Sequence, residues 1–106
     1  HCIKGTDGWQ IDKKLETLRL DGMKIFDKLT FGSMELAAYL QSIETLEHVT
    51  IIGLCTDICV ISNALLIKAA LPEVDISVVE RCCAGVTPES HQNALAAMKM
   101  CHIDIR

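Results

Sequence analysis

The sequence predicts an α/β fold built on a parallel sheet, and three observations carry that reading. Short β-branched runs ("HVTIIGL", "DISVVE", "HIDI") alternate with stretches of helical spacing. Ser33 and the Thr87-Pro88 pair stand where helices should start. Half of the residues are apolar, which supplies buried strands as well as amphipathic helices. Strand and helix in strict alternation is the pattern of a parallel sheet with helices on its faces.

Each element follows in order. Residues 1–10 hold Gly5 and Gly8 beside Thr6 and Asp7 and read as an irregular loop. "IDKKLETLRL" holds a short helix or an extended link, and "MKIFDK" reads as a short strand ending at Lys28. "TFGS" turns the chain, with Ser33 as N-cap of a helix from Met34 to about Ser42. Leu36, Tyr39, Leu40 and Ile43 recur there at helical spacing. "HVTIIGL" is a strand expected to be buried on both faces towards its end. A helix from Ile58 to about Leu71 follows, stopped by Pro72, and "DISVVE" is the next buried strand. "TPESHQNALAAMKM" is a helix capped by Thr87, with Pro88 in the first turn where proline is preferred; "HIDI" closes as a last strand. Ligands in such sheets bind at the carboxyl ends of the strands, where Lys28 and the Cys55–Cys59 turn are expected.

With 106 residues the chain is one domain or part of one, able to bury about 60–65% of its unfolded surface. Mean hydropathy is +0.31 and there are only one Trp, one Tyr and two Phe, so the chain is rich in core and poor in surface. Some of that apolar surface is expected to be covered by something outside the 106 residues. The chain begins at His1, inside a loop motif, and is expected to be the C-terminal portion of a single longer domain. Net charge is −4, with Lys and Arg scattered, which argues against nucleic acid as a partner. No apolar run approaches the roughly 20 residues of a membrane helix. Six cysteines would suit a disulfide-rich secreted domain, but regular helix and strand patterns favour reduced thiols in a cytosolic protein.

The chemistry centres on "GLCTDICV". If Thr56 or Asp57 caps the helix, Cys59 falls in its first turn, where unpaired N–H groups and the helix dipole favour a thiolate. The same N–H groups could hold an oxyanion formed when that thiolate attacks a carbonyl. Cysteine is equally a small apolar residue that is often buried, so position alone leaves both readings open. Cys55 reads as structural; three residues separate it from Cys59, where a redox pair shows two. A zinc site would need two more ligands of matching spacing. Cys82, Cys83 and Cys101 read as core or loop packing. Lys28 either reaches solvent or points at Cys59, where its charge would favour the thiolate and help move a proton. His1 beside Cys2 is a metal ligand or a surface residue, whereas His48, His91 and His102 show no mutual spacing that makes a site, and His91 reads as structural. Trp9 and Phe31 line an apolar pocket or pack in a core.

"HCIKGTDG", "DKLTFGS", "GLCTDICV" and "AGVTPESHQNAL", in that order, resemble the isochorismatase-like cysteine hydrolases, and among them the nicotinamidase branch. The resemblance runs over nearly the whole chain and implies a three-layer α/β sandwich around a parallel sheet. It implies Cys59 as nucleophile and Lys28 as the lysine of an Asp–Lys–Cys triad, with the backbone N–H groups of Cys55 and Cys59 as oxyanion hole and a cis Leu54–Cys55 peptide. Phe31 and Ile58 fall in the implied substrate pocket. A divalent metal such as zinc is implied, with His1 among its ligands. The implied reaction splits a small amide, nicotinamide first, to the acid and ammonia through a thioester. A cytoplasmic homo-oligomer is the implied setting.

Two parts of the family pattern have no counterpart in this sequence. The triad aspartate and the Asp-x-His pair of the metal site both precede "HCIKGTDG" in the family. Asp27 and Asp57 do not replace them: the first adjoins Lys28 on the opposite strand face and the second reads as a helix cap. The N-terminal segment of the same protein is therefore an expected partner, and the 106 residues alone are expected to be inactive. Three rival readings stand beside the amidohydrolase: another small-amide (carbamoyl) hydrolase, an isochorismatase acting on a vinyl ether, which would not need Cys59, and a non-catalytic α/β binding module with Cys59 inert.

Overall fold

The computed structural model describes residues 2–106. A 3₁₀ turn (Asp7–Trp9) and the short helix α1 (Lys13–Glu16) lead to α2 (Met34–Gln41), β1 (His48–Leu54), a π turn (Thr56–Val60), α3 (Ile61–Ala70), β2 (Asp75–Ala84), α4 (Pro88–Met100) and β3 (Asp104–Ile105). The three strands form one parallel sheet in the order β1-β2-β3. This is the expected α/β fold.

The caps act as the sequence implies. The Ser33 hydroxyl accepts from the Leu36 N–H at 3.1 Å and starts α2. At α4 the Thr87 hydroxyl accepts from the Ser90 N–H, and the Ser90 hydroxyl accepts from the Thr87 N–H, both at 3.1 Å. Two orphan donors are thereby satisfied reciprocally, with serine in the place usually held by Glu or Gln.

One core holds the sheet to its helices. Val60, Ala64 and Ile67 from the π turn and α3, Ile76 and Val78 from β2, Leu95 and Met98 from α4, and Ile103 form a single buried cluster. The helical members recur at three- and four-residue steps, the spacing that puts side chains on one face. Ile76 and Val78 alternate along β2 and present that face of the sheet. Leu36 and Leu40 bring α2 against the same cluster. Against the expected three-layer sandwich, these residues supply the sheet and the helical layer over Ile76 and Val78.

Several expectations need correction. "MKIFDK" is not a strand: residues 23–28 carry no regular secondary structure, since none of the described strands offers them a ladder. β1 is not buried on both faces towards its end; burial alternates, and Ile52 and Leu54 are 61% and 69% exposed. The helix after β1 starts at Ile61, because a π turn occupies Thr56–Val60. Of the core and loop readings of Cys82 and Cys101, the core one does not hold: both are exposed, Cys82 on β2 and Cys101 at the end of α4. The strand "DISVVE" extends through Arg81, Cys82, Cys83 and Ala84.

Two glycines are required by the local backbone. Ile51 pairs with Val78, but the register then shifts so that Gly53 pairs with Cys83, and Gly53 takes φ +127° at that shift. A Cβ on Gly85 would lie 2.8 Å from His91 Cβ, so this position lets β2 turn closely over α4. Among the described residues no helix is long and apolar enough to cross a membrane.

Candidate active site

The turn after β1 is organised by the carbonyl of Cys55. It accepts from the Ile58 N–H at 3.1 Å and from the Val60 N–H at 3.0 Å. The second bond spans five residues and makes Thr56–Val60 a π turn, a feature frequent at functional sites. The Leu54–Cys55 peptide is cis, as the resemblance implied. Neither Thr56 nor Asp57 caps the helix. Cys55 stands at the cap position of the π turn, with no side-chain cap bond.

The two polar residues have other partners. Thr56 is fully buried, and its hydroxyl lies 2.7 Å from Nδ1 of His91 on α4. The Asp57 carboxylate accepts from the Val86 N–H at 3.2 and 3.3 Å. The Ser90 hydroxyl first, and that N–H after it, favour the ionised form over the opposing desolvation, so the Asp57 carboxyl sits below its ordinary value of 3.8. Both contacts tie the turn to the loop and helix that follow β2. His91, for which no partner was legible in the sequence, is thus bonded to the turn itself.

Cys59 lies in the π turn, half-buried. Lys28 Nζ donates to its Sγ at 3.5 Å, from a position 31 residues earlier. An ammonium in that place attracts a thiolate and offers it a charge-assisted donor. Asp27, the neighbouring carboxylate, pairs instead with Lys4 at 2.8 Å, and Lys4 also lies 5.6 Å from the Trp9 ring centre. Lys28, Trp9, Phe26 and Asp27 contribute to an open cleft of about 810 Å³, of whose lining Cys59 is not part. All six cysteines are free thiols. Burial pushes the Cys83 thiol up from its ordinary value of 9.0.

Other expected site residues are placed differently. Phe31 is 58% exposed and Ile58 is half-buried; neither is among the residues that form the cleft. Trp9 does form part of it. His1 lies outside the described residues. Among the described residues no three His, Cys, Asp or Glu side chains converge to hold a metal. The residues described thus do not form a metal site.

Sequence reasoning missed Asn63. Its amide bonds to Ser33, Phe31 and Cys59 and joins the two segments of the site. No local signal marked it, because Asn63 stands in the first turn of α3, near the helix start where asparagine is ordinary.

A family model described as the Isochorismatase domain matches residues 1–105. The chain belongs to the isochorismatase family. Solved structures similar to this isochorismatase-family chain include a nicotinamidase from Staphylococcus aureus, 29% identical, with TM-score 0.63 over 76% of this chain and 52% of that one. The pyrazinamidase of Pyrococcus horikoshii in complex with zinc is 27% identical, with TM-score 0.62 over 80% of this chain and 48% of that one. A nicotinamidase/pyrazinamidase from Bacillus subtilis superposes with TM-score 0.81 over 99% of this chain and 61% of that one; at 24% identity it shows the fold alone. No curated protein sequence matches the chain. The isochorismatase-family chain thus has an isochorismatase-like hydrolase fold and spans about half to three-fifths of the length of these structures.

Proposed function

We propose that the protein containing this chain is a cysteine hydrolase of small amides, with nicotinamide as first substrate. The observation that carries the reading is the Lys28 ammonium 3.5 Å from the Cys59 sulfur, in a turn whose backbone is held by the Cys55 carbonyl and whose Thr56 and Asp57 side chains are held by His91 and Val86. A thiolate is the reactive form of cysteine, and an adjacent cation is a standard way to favour it.

Cys59 Sγ attacks the amide carbon and pushes the C=O electrons onto oxygen. Backbone N–H groups of Cys55 and Cys59 receive that oxyanion. The oxyanion collapses, the C–N bond breaks, and the nitrogen leaves as ammonia with a proton relayed through Lys28. A thioester remains on Cys59. Water adds to it and gives a proton back to the Lys28 amine, the C–S bond breaks, and the acid departs with the thiolate and the ammonium restored. The sum is amide plus water to acid plus ammonia.

The third group of the proposal is a carboxylate facing Lys28, supplied by a segment of the same protein that precedes this chain. That segment is also the source we propose for the ligands that would join His1 around a divalent metal such as zinc. The proposed setting is a cytosolic homo-oligomer. The similarity to nicotinamidase and pyrazinamidase structures at 29% and 27% identity supports the choice of a small aromatic amide.

The test is ammonia release from nicotinamide by the full-length protein. Cys59→Ala should lower it by about a thousandfold or more while the far-ultraviolet spectrum is unchanged. Turnover that survives in Cys59→Ala would remove Cys59 from the mechanism.

A further inference from the structure

Asn63 lies one turn beyond Cys59 on α3, half-buried, and every hydrogen-bonding group of its amide is used. Oδ1 accepts from the Ser33 N–H at 2.9 Å. Nδ2 donates to the Phe31 carbonyl at 3.1 Å and to the Cys59 carbonyl at 2.9 Å. The orientation of the amide is fixed by its partners: an N–H needs the oxygen and two carbonyls need the nitrogen. One side chain thus holds the nucleophile's own carbonyl and both ends of the short segment Phe31–Ser33.

That segment follows Lys28 closely. Residues 23–31 have no sheet ladder and the lysine itself is exposed, so side-chain contacts place its backbone: Lys4 to Asp27 and Phe26 against Tyr39 before it, and the Asn63 amide after it. Gly32 lies flat on α3: a Cβ there would stand 3.6 Å from Leu66 Cδ2 and 3.8 Å from the Ser62 carbonyl oxygen. The contact brings the chain close enough for the amide of Asn63 to reach both flanking residues.

We infer that Asn63 is a positioning residue: by clamping Phe31–Ser33 to the helix of Cys59, its amide holds Lys28 Nζ against Cys59 Sγ. The inference rests on the reading of Cys59 and Lys28 as a reactive pair. A helix asparagine of merely structural value would contribute to stability without acting on that pair.

The two roles separate in one experiment. Asn63→Ser is the mild variant, because Ser62 shows that a serine on this helix still bonds the carbonyl four residues back (Ser62 Oγ to Ile58 O, 2.6 Å). It loses only the two bonds to Phe31 and Ser33. Peptide-resolved alkylation by iodoacetamide is measured in the full-length protein from about pH 6 to about pH 9 for wild type, Lys28→Ala, Asn63→Ser and the double variant. At neutral pH, Lys28→Ala and Asn63→Ser should each slow Cys59 by about threefold or more, and the double variant should be no slower than Lys28→Ala alone. Cys83 should be unaffected throughout.

Wild-type reactivity of Cys59 in Asn63→Ser, with Lys28→Ala slow, would overturn the inference and leave the reactive pair standing. Losses that multiply in the double variant would overturn it too, since Asn63 would then act without Lys28. An unchanged Cys59 in Lys28→Ala would overturn both the pair and the clamp. Asn63→Thr, which also loses both bonds to the loop, gives the same comparison should the serine variant fail to fold.

Discussion

Residues 2–31 and residues 33–106 are two different kinds of structure. No residue of the first stretch is buried, and Leu18, Leu20 and Leu29 are 72%, 74% and 107% exposed. The second stretch contains the whole core, with Ala64, Val78 and Met98 at 0% exposure. The two members of the proposed reactive pair come from opposite sides of this divide. Cys59 sits in a turn fixed by the core, whereas Lys28 rides on a segment held by scattered contacts: Lys4 to Asp27, Phe26 against Tyr39, and the Asn63 amide. A site divided in this way can lose its function without losing its fold.

Stability should therefore respond to substitution in the second stretch and hardly at all in the first. Met98→Ala removes a fully buried side chain and should cost about 2–5 kcal/mol, read as a lower urea midpoint. Leu18→Ala, at 72% exposure, should stay within about 0.5 kcal/mol of wild type. Equal losses at both positions would erase the division.

Acid should act on the link between the π turn and α4. The folded Asp57 carboxyl lies below its ordinary value of 3.8, so the unfolded chain takes up the proton first. Its contribution is present above pH 3.8 and is lost as pH falls through the lower folded value. Asp57→Asn should flatten that part of the stability–pH curve. A slope that is unchanged in the variant would assign the acid sensitivity to other carboxylates. The effect should be smaller than that of Met98→Ala, because Asp57 is only half-buried and solvent screens its charge.

The sequence was most readable where local chemistry decides structure. Thr87 and Ser33 cap helices because their hydroxyls reach N–H groups three residues on, a relation fully contained in a few positions. The pairing of Lys28 with Cys59 was reached through ordered motifs, and the geometry brings these two residues together. What depended on distant partners was not readable. "MKIFDK" has strand composition, but a strand exists only with a ladder, and pairing is not encoded in six residues. Asp57 reads as a cap from its place before a helix; the π turn moves it away, and its partner is Val86, 29 residues later. Asn63 looks ordinary in the first turn of α3, and its partners Phe31 and Ser33 lie about 30 positions earlier in the chain.

The central claim is that Cys59 is an activated nucleophile, and the most direct test is its alkylation rate against the other five thiols near neutral pH. Exposure alone would rank Cys2, Cys82 and Cys101 first, because those three are exposed and Cys59 is only half-buried. The account predicts the reverse, with Cys59 alkylated fastest of the six. A Cys59 that reacts no faster than the exposed thiols would contradict it, and would leave an isochorismatase-family fold whose cysteine is packing.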